Sequence, residues 1–434
     1  MSQSVWSAGK NLPQFETLHG SVRTDVLIIG GGLCGILCAY FLRMAGVETA
    51  LVEGNTICSG ISKNTTAKIT SLHGLPYHKM IKSVGKEMAS MYLWANERAL
   101  GKYRELAQTI DCDFEEKSAF TYSVLDRRKI EEEVHAVNLL GFPAVFAEHL
   151  PLPFETKGAV EFQNQAQFHP LKFIAGMLEG LKIYEHTFIR DLAPHRAWGA
   201  DGEIAADQII VATHFPFLNK HGSYFLKLYQ HRSYVIALEN APDVGGMYVD
   251  EARAGMSFRN YGDLLFVGGG GHRTGKCGGN YQELRAFAAD YYPCAREKYH
   301  WAAQDCMSLD GIPYIGHYSK NTQDLFVASG FQKWGVTSSM VAAMLLRDMV
   351  MGMDSGWGEV FLPQRSMLRP QLLINAAEAV GNLLTPSLRR CPHMGCALKW
   401  NRAEHTWDCP CHGSRFEKNG DLIDNPATGG AKVE

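Results

Sequence analysis

The chain has 434 residues, a formal net charge of −3 and 46% hydrophobic residues. This length allows two or three domains with sizeable cores. The near-neutral charge gives no reason to expect nucleic acid or an anionic membrane as a partner. The first residues, MSQSVWSA, lack the pattern of a signal peptide, and glycines interrupt the longest apolar stretch. We therefore predict no membrane span and a cytoplasmic location.

Residues 24–53 predict a strand, a glycine turn, a helix and a second strand that leads to Glu53. In this context the glycines match the βαβ fingerprint of dinucleotide-binding proteins. Gly30 permits the tight turn, Gly32 lets the backbone approach a pyrophosphate, and Gly35 lets the helix pack closely on the strand. The helix N-terminus offers N–H groups to the phosphates, and Glu53 can accept a hydrogen bond from a ribose hydroxyl. The alternative is a glycine turn that serves packing alone, but it does not explain the acidic residue Glu53 at the end of the second strand.

Two further strand patterns follow in the middle of the chain. Residues 206–217, ADQIIVATHFPF, predict a buried strand that leads to a loop near the nucleotide, and His214 is interpreted as a loop histidine. Residues 263–277, DLLFVGGGGHRTGKC, nearly match a phosphate-binding loop. However, Cys277 occupies the position where a serine or threonine should hold magnesium. We interpret this stretch as a glycine-rich strand end.

Residues 325–350 predict a strand from Leu325 to Ala328, a glycine turn and a helix that starts near Thr337. The N-terminus of this helix would face the pyrimidine edge of a flavin, where its dipole would stabilise the negative charge of the reduced ring. The candidate cofactor contacts in this stretch are Gly330, Trp334, Gly335 and Thr337. Residues 366–385 are interpreted as a linker followed by a helix.

Four of the 11 cysteines crowd into the last tenth of the chain, in CPHMGCALKWNRAEHTWDCPCHGSRF. Cys391 and His393 form a C-x-H motif, and Cys409 and His412 form a C-x-x-H motif. Two thiolates and two imidazoles can hold the two irons of a [2Fe–2S] centre. A tetrahedral zinc site accepts the same four residues and is the alternative.

Three features favour iron–sulfur over zinc. Each of the two segments carries one cysteine and one histidine, as two symmetrical loops would. Prolines and glycines shape both segments as loops and leave no zinc-finger helix. Finally, Cys396 and Cys411 occupy a second matched pair of positions.

These segments resemble a Rieske iron–sulfur site of the respiratory type. The resemblance implies that Cys391, His393, Cys409 and His412 bind the cluster and that Cys396 and Cys411 form a disulfide between the loops. It also implies that the Ser414 hydroxyl donates to a cluster sulfide and that both histidines lie near the surface. The lobe, residues 386–434, lacks the strands that usually precede the first loop. We therefore expect its stability to depend on the cluster, the disulfide and docking.

Together with residues 24–53, the segments ADQIIVATH, DGIPYIG and SGFQKWGVT resemble the D-amino-acid oxidase (DAO) family of FAD enzymes, in the branch with a C-terminal Rieske lobe. The resemblance implies an α/β fold in which a Rossmann-like FAD-binding domain is interleaved with an antiparallel-sheet substrate domain, plus a small all-β lobe. The DAO-type unit would span residues 1–365. Its expected FAD-binding segments are about 22–75, 155–215 and 300–355, and its expected substrate segments are about 76–154 and 216–299.

The family reaction transfers a hydride from a carbon beside an amine nitrogen to the flavin, and an arginine often anchors the substrate carboxylate. The resemblance places Arg259, in SFRNYGDLLFVGG, where that arginine would lie. Its guanidinium fork suits a carboxylate. A structural arginine within the sheet is the equal alternative. Thr66, Ala67 and Lys68 fall where the family wraps the chain against the flavin. Lys68 is therefore a candidate catalytic cation, with an exposed surface lysine as the alternative.

The sequence thus predicts an FAD-dependent dehydrogenase that oxidises an amine or amino acid and passes electrons through a Rieske [2Fe–2S] cluster to a carrier. The expected partners are a small-molecule substrate and an electron-carrier protein or quinone-like acceptor. Electron flow in the opposite direction, to a small oxidised substrate, is one alternative. A redox sensor or shuttle without a substrate of its own is the other.

Overall fold

A computed structural model of the chain describes residues 3–8, 12–252 and 255–433. The α-helices of this described part are α1 (Leu33–Met44), α2 (Tyr77–Val84), α3 (Lys86–Leu106), α4 (Arg127–Leu139), α5 (Pro170–Ala175), α6 (Tyr224–Lys227), α7 (Asn280–Tyr291), α8 (Gly335–Val350) and α9 (Pro370–Leu384). The strands are β1 (Gly20–Ile29), β2 (Thr49–Val52), β3 (Lys68–Ile69), β4 (Glu115–Tyr122), β5 (Val145–Ala147), β6 (Ala159–Gln167), β7 (Ile183–Tyr184), β8 (Asp191–Ala193), β9 (Arg196–Trp198), β10 (Gly202–Val211), β11 (Tyr229–Glu239), β12 (Met247–Asp250), β13 (Ser257–Tyr261), β14 (Leu264–Arg273), β15 (Arg296–Met307), β16 (Tyr314–His317), β17 (Leu325–Ser329), β18 (Lys399–Asn401), β19 (Thr406–Asp408), β20 (Arg415–Phe416) and β21 (Leu422–Asp424).

The first sheet has the strand order β16-β17-β10-β1-β2-β7, and the β8–β9 hairpin extends it beside β10. Strand β1 pairs in parallel with both β2 and β10. The second half of β1, VLII, is almost fully buried, as expected for a strand covered on both faces. Because the strand order reverses on either side of β1, the carboxyl ends of these strands open a crevice of the kind that binds dinucleotides.

The second sheet has the order β15-β11-β14-β13-β12-β4-β6-β3, with β5 beside β6. It is mainly antiparallel, except that β4 and β12 run parallel. Strands β3, β6 and most of β15, which fall within the segments predicted to bind FAD, belong to this second sheet. Long-range strand pairing places them there, and the sequence pattern of a strand does not reveal its partner.

The C-terminal lobe is a small antiparallel sheet in the order β18-β19-β20-β21. The two cluster loops flank it, at residues 391–396 before β18 and residues 409–414 between β19 and β20. Helix α9 fills the predicted linker-and-helix segment and leads into the first loop. Across the residues that the structure describes, no helix is both long and apolar enough to span a membrane.

Candidate active site

A cavity of ≈ 1790 Å³ lies between the two large sheets and the C-terminal lobe. Its wall includes Gly30 and Gly32 after β1, Glu53 after β2 and His214 after β10. The second sheet and the lobe complete the wall. These strand ends meet in one place because parallel strands present their carboxyl ends at the same edge of a sheet. The volume exceeds the ~300–1,000 Å³ of a typical ligand pocket, so it has room for a large cofactor together with a substrate.

The glycines of the fingerprint have the geometry that a dinucleotide cradle requires. Gly30 has a φ of 114°, and a Cβ at this position would lie 2.6 Å from the Ala212 carbonyl oxygen. A Cβ at Gly35 would collide with the carbonyl oxygen of Gly30. The turn and the first turn of α1 therefore approach each other more closely than any side chain would allow.

The substitution Gly35→Ala is expected to weaken FAD binding, because the added methyl group would force α1 away from the turn. Overpacking of this kind costs ~1–3 kcal/mol, or roughly 5- to 150-fold in affinity if all of it falls on the FAD-bound state. The flavin absorbance of the purified protein measures the effect. Gly101→Ala is the matched control, since Gly101 lies within α3 with no atom near its would-be Cβ. Equal flavin content in both variants would contradict the assigned role of Gly35.

Glu53 holds the turn that follows β1. One carboxylate oxygen accepts the Gly31 N–H at 2.7 Å, and the other accepts the Asn55 N–H at 2.9 Å. Burial raises the pKa of Glu53, and the two hydrogen bonds only partly offset this effect. A carboxylate has about four lone-pair sites, so Glu53 keeps the capacity to accept from a ribose hydroxyl as well.

Arg259 is fully buried and lies behind the segment predicted to contact the flavin. Its Nη1 donates to the carbonyl oxygens of Thr66 at 2.7 Å and Ala67 at 3.0 Å. The rings of Trp6 and Phe266 lie 5.7 and 5.3 Å from its Cζ. Arg259 does not line the cavity, so its position favours the structural alternative over the carboxylate anchor. Its guanidinium supports the backbone of the Thr66–Ala67 segment.

Lys68, in contrast, lines the cavity. Its Nζ lies 3.2 Å from the Thr66 hydroxyl, and its residue is 8% exposed. The plain alternative of an exposed surface lysine therefore does not apply. Burial, followed by the positive charge of Arg259, lowers the pKa of Lys68 to about 7. The amine can consequently change its protonation state near neutral pH.

The glycine turn and helix after β17 approach the same cavity. Trp334 and Gly335 line it, and the Trp334 ring stacks on His73 at a centroid distance of 4.8 Å. Gly330 has a φ of 72° in the turn. Thr337 is buried within α8, and its hydroxyl donates to the Thr70 carbonyl oxygen at 2.9 Å. Helix α8 starts at Gly335, two residues before the predicted start, and Thr337 fastens it to the segment after β3.

The four predicted cluster residues come together at the edge of the lobe. Cys391 and Cys409 are 2% and 1% exposed, and their thiols form a hydrogen bond. The contact with Cys409 lowers the pKa of Cys391 to about 7. The His393 and His412 rings lie 4.9 Å apart and nearly perpendicular. The Ser414 hydroxyl lies beside the Cys391 sulfur, within hydrogen-bond distance.

The histidine nitrogens show how this set fits a cluster. Nδ1 of His393 and Nδ1 of His412 are both buried without a hydrogen-bond partner. Nε2 of His393 bonds Asn219 at 3.2 Å, and His412 bonds the Phe225 backbone. Burial lowers the pKa of His393 to about 4 and of His412 to about 3. Both rings are therefore neutral at pH 7, with Nδ1 free to bind iron and Nε2 held by the protein.

Cys396 and Cys411 form a disulfide between the two loops. The sulfurs of Cys396, Cys409 and Cys411 also lie within 4.8 Å of one another, a spacing that suits a metal ion. Two of these sulfurs are bonded to each other and offer no thiolate. The two cysteines and two histidines of the C-x-H and C-x-x-H motifs are therefore the better ligand set.

The histidine side of the lobe faces the rest of the protein. His412 is only 4% exposed and packs edge-on against Phe215 and Phe225. The expectation that both histidines lie near the surface is therefore wrong for His412. His393 is half-buried and is the most exposed of the four. The lobe therefore packs against the rest of the protein through its histidine face, which the resemblance to respiratory Rieske sites predicts to lie near the surface.

Gln230, at the start of β11, joins the cavity wall to the docked lobe. Its side-chain oxygen lies 2.9 Å from Nε2 of His214, and its side-chain nitrogen donates to the Asn425 carbonyl oxygen at 3.3 Å. A Cβ at Gly413 would lie 2.5 Å from the Cβ of Gln230. His214 and Gln230 thus link the cavity wall to the loop that carries His412. Gln304, which also lines the cavity, donates to the Gly413 carbonyl oxygen at 2.9 Å.

The stretch that nearly matches a phosphate-binding loop forms part of this docking surface. Arg273 donates to the carbonyl oxygens of Pro410 and Cys411, each at 3.2 Å. Gly275 has a φ of 75°, and a Cβ there would lie 2.8 Å from the Cα of Pro410. The glycine-rich strand end therefore allows close approach of the second cluster loop.

A buried ionic network completes the contact between the lobe and the second sheet. Arg232 of β11 pairs with both carboxylate oxygens of Glu404, and Nη2 of Arg415 lies 2.9 Å from Glu404. Arg415 also pairs with Asp408 at 3.2 Å. Burial alone would raise the pKa of Glu404, but Arg232 and Arg415 lower it to about 2.

Sequence reasoning missed the polar side chains that the second sheet contributes to the cavity. His231 and Ser233 of β11 lie opposite Asp305 and Ala303 of β15, and all four line the cavity. Burial raises the pKa of Asp305 to about 6, against the lowering effect of Lys333 and Arg232. Only strand register brings these distant positions together, so no local motif could have identified them.

Comparison with known proteins agrees with this geometry. The FAD dependent oxidoreductase (DAO) family matches residues 25–349, and the Rieske [2Fe-2S] domain family matches residues 373–433. The fold resembles the crystal structure of glycine oxidase from Geobacillus kaustophilus, with a TM-score of 0.67 and 20% identity over 80% of this chain and 100% of that chain. The fold and site therefore define an FAD-dependent oxidoreductase with a Rieske lobe.

The chain belongs to the DAO family of FAD dependent oxidoreductases. It is 33% identical to the Rieske 2Fe-2S iron-sulfur protein YhfW of Bacillus subtilis (strain 168), over 98% of this chain and 96% of that protein. It is also 26% identical to gamma-glutamylputrescine oxidoreductase of Escherichia coli (strain K12), over 48% of this chain and 52% of that protein. The family and domain assignments establish FAD and a [2Fe–2S] cluster as its cofactors.

Proposed function

We propose that the protein is a dehydrogenase that oxidises the C–N bond of an amine or amino acid and delivers the electrons to a separate carrier. FAD supplies the acceptor for a hydride, and the cluster supplies a one-electron outlet. The observation that carries the proposal is the docking of the lobe. The loop that carries His412 packs against Gln230, which bonds His214 of the cavity wall, and against Gln304, which lines the cavity. The half-buried His393 marks the side where a carrier would approach.

The cavity wall supports an amine-containing substrate. Asp305 places a carboxyl group on the face of the second sheet that lines the cavity, beside His231. A carboxylate there can accept hydrogen bonds from a substrate amine. Ser233, two residues after His231 on the same face of β11, adds a hydroxyl group to the cavity wall. Lys68 lies on the wall formed by the flavin-contact segment. We propose that Asp305 and Ser233 orient the amine and that Lys68 takes up a proton from it.

Anaerobic mixing with a panel of amines and amino acids tests the proposal. A dehydrogenase bleaches its flavin with substrate alone, and the iron–sulfur signal in electron spin resonance then appears without added reductant. Bleaching only after a reduced carrier is supplied would contradict the proposal and favour the reverse reaction. A flavin that responds to neither would favour a shuttle without its own substrate.

The pH dependence of flavin bleaching is expected to follow the protonation state of the Lys68 amine. The amine must lose a proton before hydride transfer, so the neutral form of Lys68 is the active one. Because the pKa of Lys68 is lowered to about 7, the bleaching rate should rise as the pH increases through 7 and then level off. In Lys68→Met this rise should disappear. Stopped-flow rates at saturating substrate measure it, and an unchanged profile in the variant would exclude Lys68 as the proton acceptor.

A further inference from the structure

An uncovered apolar face runs along α9. Leu373, Ile374, Val380 and Leu384 have exposed fractions of 74, 51, 56 and 76%. Four more exposed apolar side chains lie nearby: Leu368 before α9, Leu383 in its last turn, and Leu388 and Met394 after it. Contiguous apolar surfaces of this size mark interaction sites on otherwise polar proteins.

The orientation of α9 is the reverse of that of an ordinary surface helix. Its polar side chains face the protein: Asn375 is 6% exposed and accepts from Arg273 at 2.9 Å. Asn382 is 7% exposed, and Glu378 pairs with Lys276 at 2.8 Å. Folding of the single chain therefore fixes α9 through polar contacts and leaves its apolar stripe outside.

The spacing of the stripe suits a second helix. Leu373, Ala377, Val380 and Leu384 are separated by four, three and four residues, which is the spacing of a two-helix seam. Ala377 is exposed at the middle of the stripe, and nothing lies near the would-be Cβ of Gly381. Small residues at the middle allow the helix axes to approach closely, while the larger residues at both ends pack around them.

Two observations favour another copy of the chain over a lipid surface. Glu378 is the one charged residue of α9, and it is already paired, whereas helices that lie on membranes carry lysines and arginines on their polar face. The exposed surface of the eight apolar side chains is on the order of the ~800 Å² that each partner contributes to a stable protein interface. An antiparallel pair also places the larger end residues of one stripe against those of the other.

We propose that two copies of this chain associate through antiparallel pairing of their α9 helices about a two-fold axis. In this arrangement Leu373 of each copy meets Leu384 of the other, and Ala377 lies opposite Val380. The interface is self-complementary, as a two-fold dimer requires. It borders the first cluster loop, where Met394 is 40% exposed. This inference does not depend on the substrate or on the direction of electron flow.

Analytical ultracentrifugation of the full-length holoprotein tests the association. At micromolar concentrations the wild type should sediment with twice the 48.2 kDa mass of one chain. Leu384→Asp should sediment as a single chain, because the charge would be buried in the seam. Leu125→Asp is the matched control, since Leu125 is 82% exposed elsewhere on the surface, and it should remain dimeric. A monomeric wild type, or a dimeric Leu384→Asp, would overturn the proposal.

Cysteine cross-linking tests the antiparallel geometry in a background with Cys277→Ser and Cys294→Ser, which removes the exposed thiols. The double variant Leu373→Cys/Leu384→Cys should form a covalent dimer on mild oxidation. Each single variant should not, because identical positions would lie roughly 16 Å apart along antiparallel helices. Cross-linking of a single variant would overturn the geometry. A monomer that floats with phosphatidylglycerol vesicles would assign the face to lipid and overturn the dimer.

Discussion

Replacing Cys409 by serine is expected to abolish the iron–sulfur signal while the flavin can still be reduced by substrate. Serine matches the size of the buried thiol but is a poor iron ligand, so the cluster should be lost with little change in packing. Removing a group that hydrogen-bonds a metal ligand costs ~10–100-fold in metal affinity or activity. Removing the ligand itself should cost more. Turnover with a carrier should therefore disappear, and anaerobic flavin bleaching should persist.

The matched control for this substitution is Cys112→Ser. Cys112 is also a free thiol, 2% exposed, and lies outside the cavity and the lobe. The control should keep both the iron–sulfur signal and turnover. Spin resonance, iron content and stopped-flow bleaching of the two variants separate the outcomes. Carrier turnover by a cluster-free Cys409→Ser protein would refute the proposed outlet.

Truncation of residues 386–434 would be a less informative experiment than the replacement of one cluster ligand. Glu404, Arg415 and Asn425 of the lobe line the cavity, and Arg232 would lose its buried partner. A truncated protein would therefore lose part of its substrate pocket together with its cluster. Single-ligand substitutions separate these two effects.

Glu404→Gln is expected to give the largest loss of stability among single substitutions in the docking surface. The amide would leave Arg232, whose side chain is 3% exposed, without an ionic partner. Breaking a buried pair in this way costs about 3–5 kcal/mol. The free energy of unfolding of the lobe, followed in urea through the iron–sulfur absorbance, should fall by this amount.

The control for Glu404→Gln is Glu131→Gln, which breaks an exposed pair between Arg127 and Glu131. Exposed pairs contribute ~0–1 kcal/mol, so the control should be nearly neutral. Equal losses in the two variants would show that the buried network does not stabilise the lobe.

The stability that Glu404 provides should also depend on pH. Its pKa is about 2 in the folded protein, below the ordinary value of roughly 4.3. The stabilisation is therefore fully present above about pH 4.3 and is lost as the pH falls towards 2. The difference in unfolding free energy between the wild type and Glu404→Gln should shrink over that range.

The sequence predicted those features that depend on neighbouring residues. The glycine turn at Gly30 and the packing of Gly35 follow from local backbone geometry. The resemblance likewise assigned Cys391 and Cys409 to cluster loops, because each motif is a short contiguous segment. The coarse fold, the family and both cofactors followed from these two patterns.

Features that depend on tertiary pairing were not predictable. The sequence leaves Arg259 open between a carboxylate anchor and a structural arginine, because the neighbours of its side chain depend on how the Thr66–Ala67 segment folds back. Asp305 meets His231 only through the register of β11 and β15. The buried position of His412 depends on which face of the lobe docks, and no residue within the lobe motif determines that choice.

Ala427 connects the metal centre to the substrate pocket. Its N–H donates to Ser414, beside the Cys391 sulfur, and its segment also lines the cavity. Because this hydrogen bond joins the cluster loop to the cavity wall within a single chain, a change at either site has a direct structural route to the other.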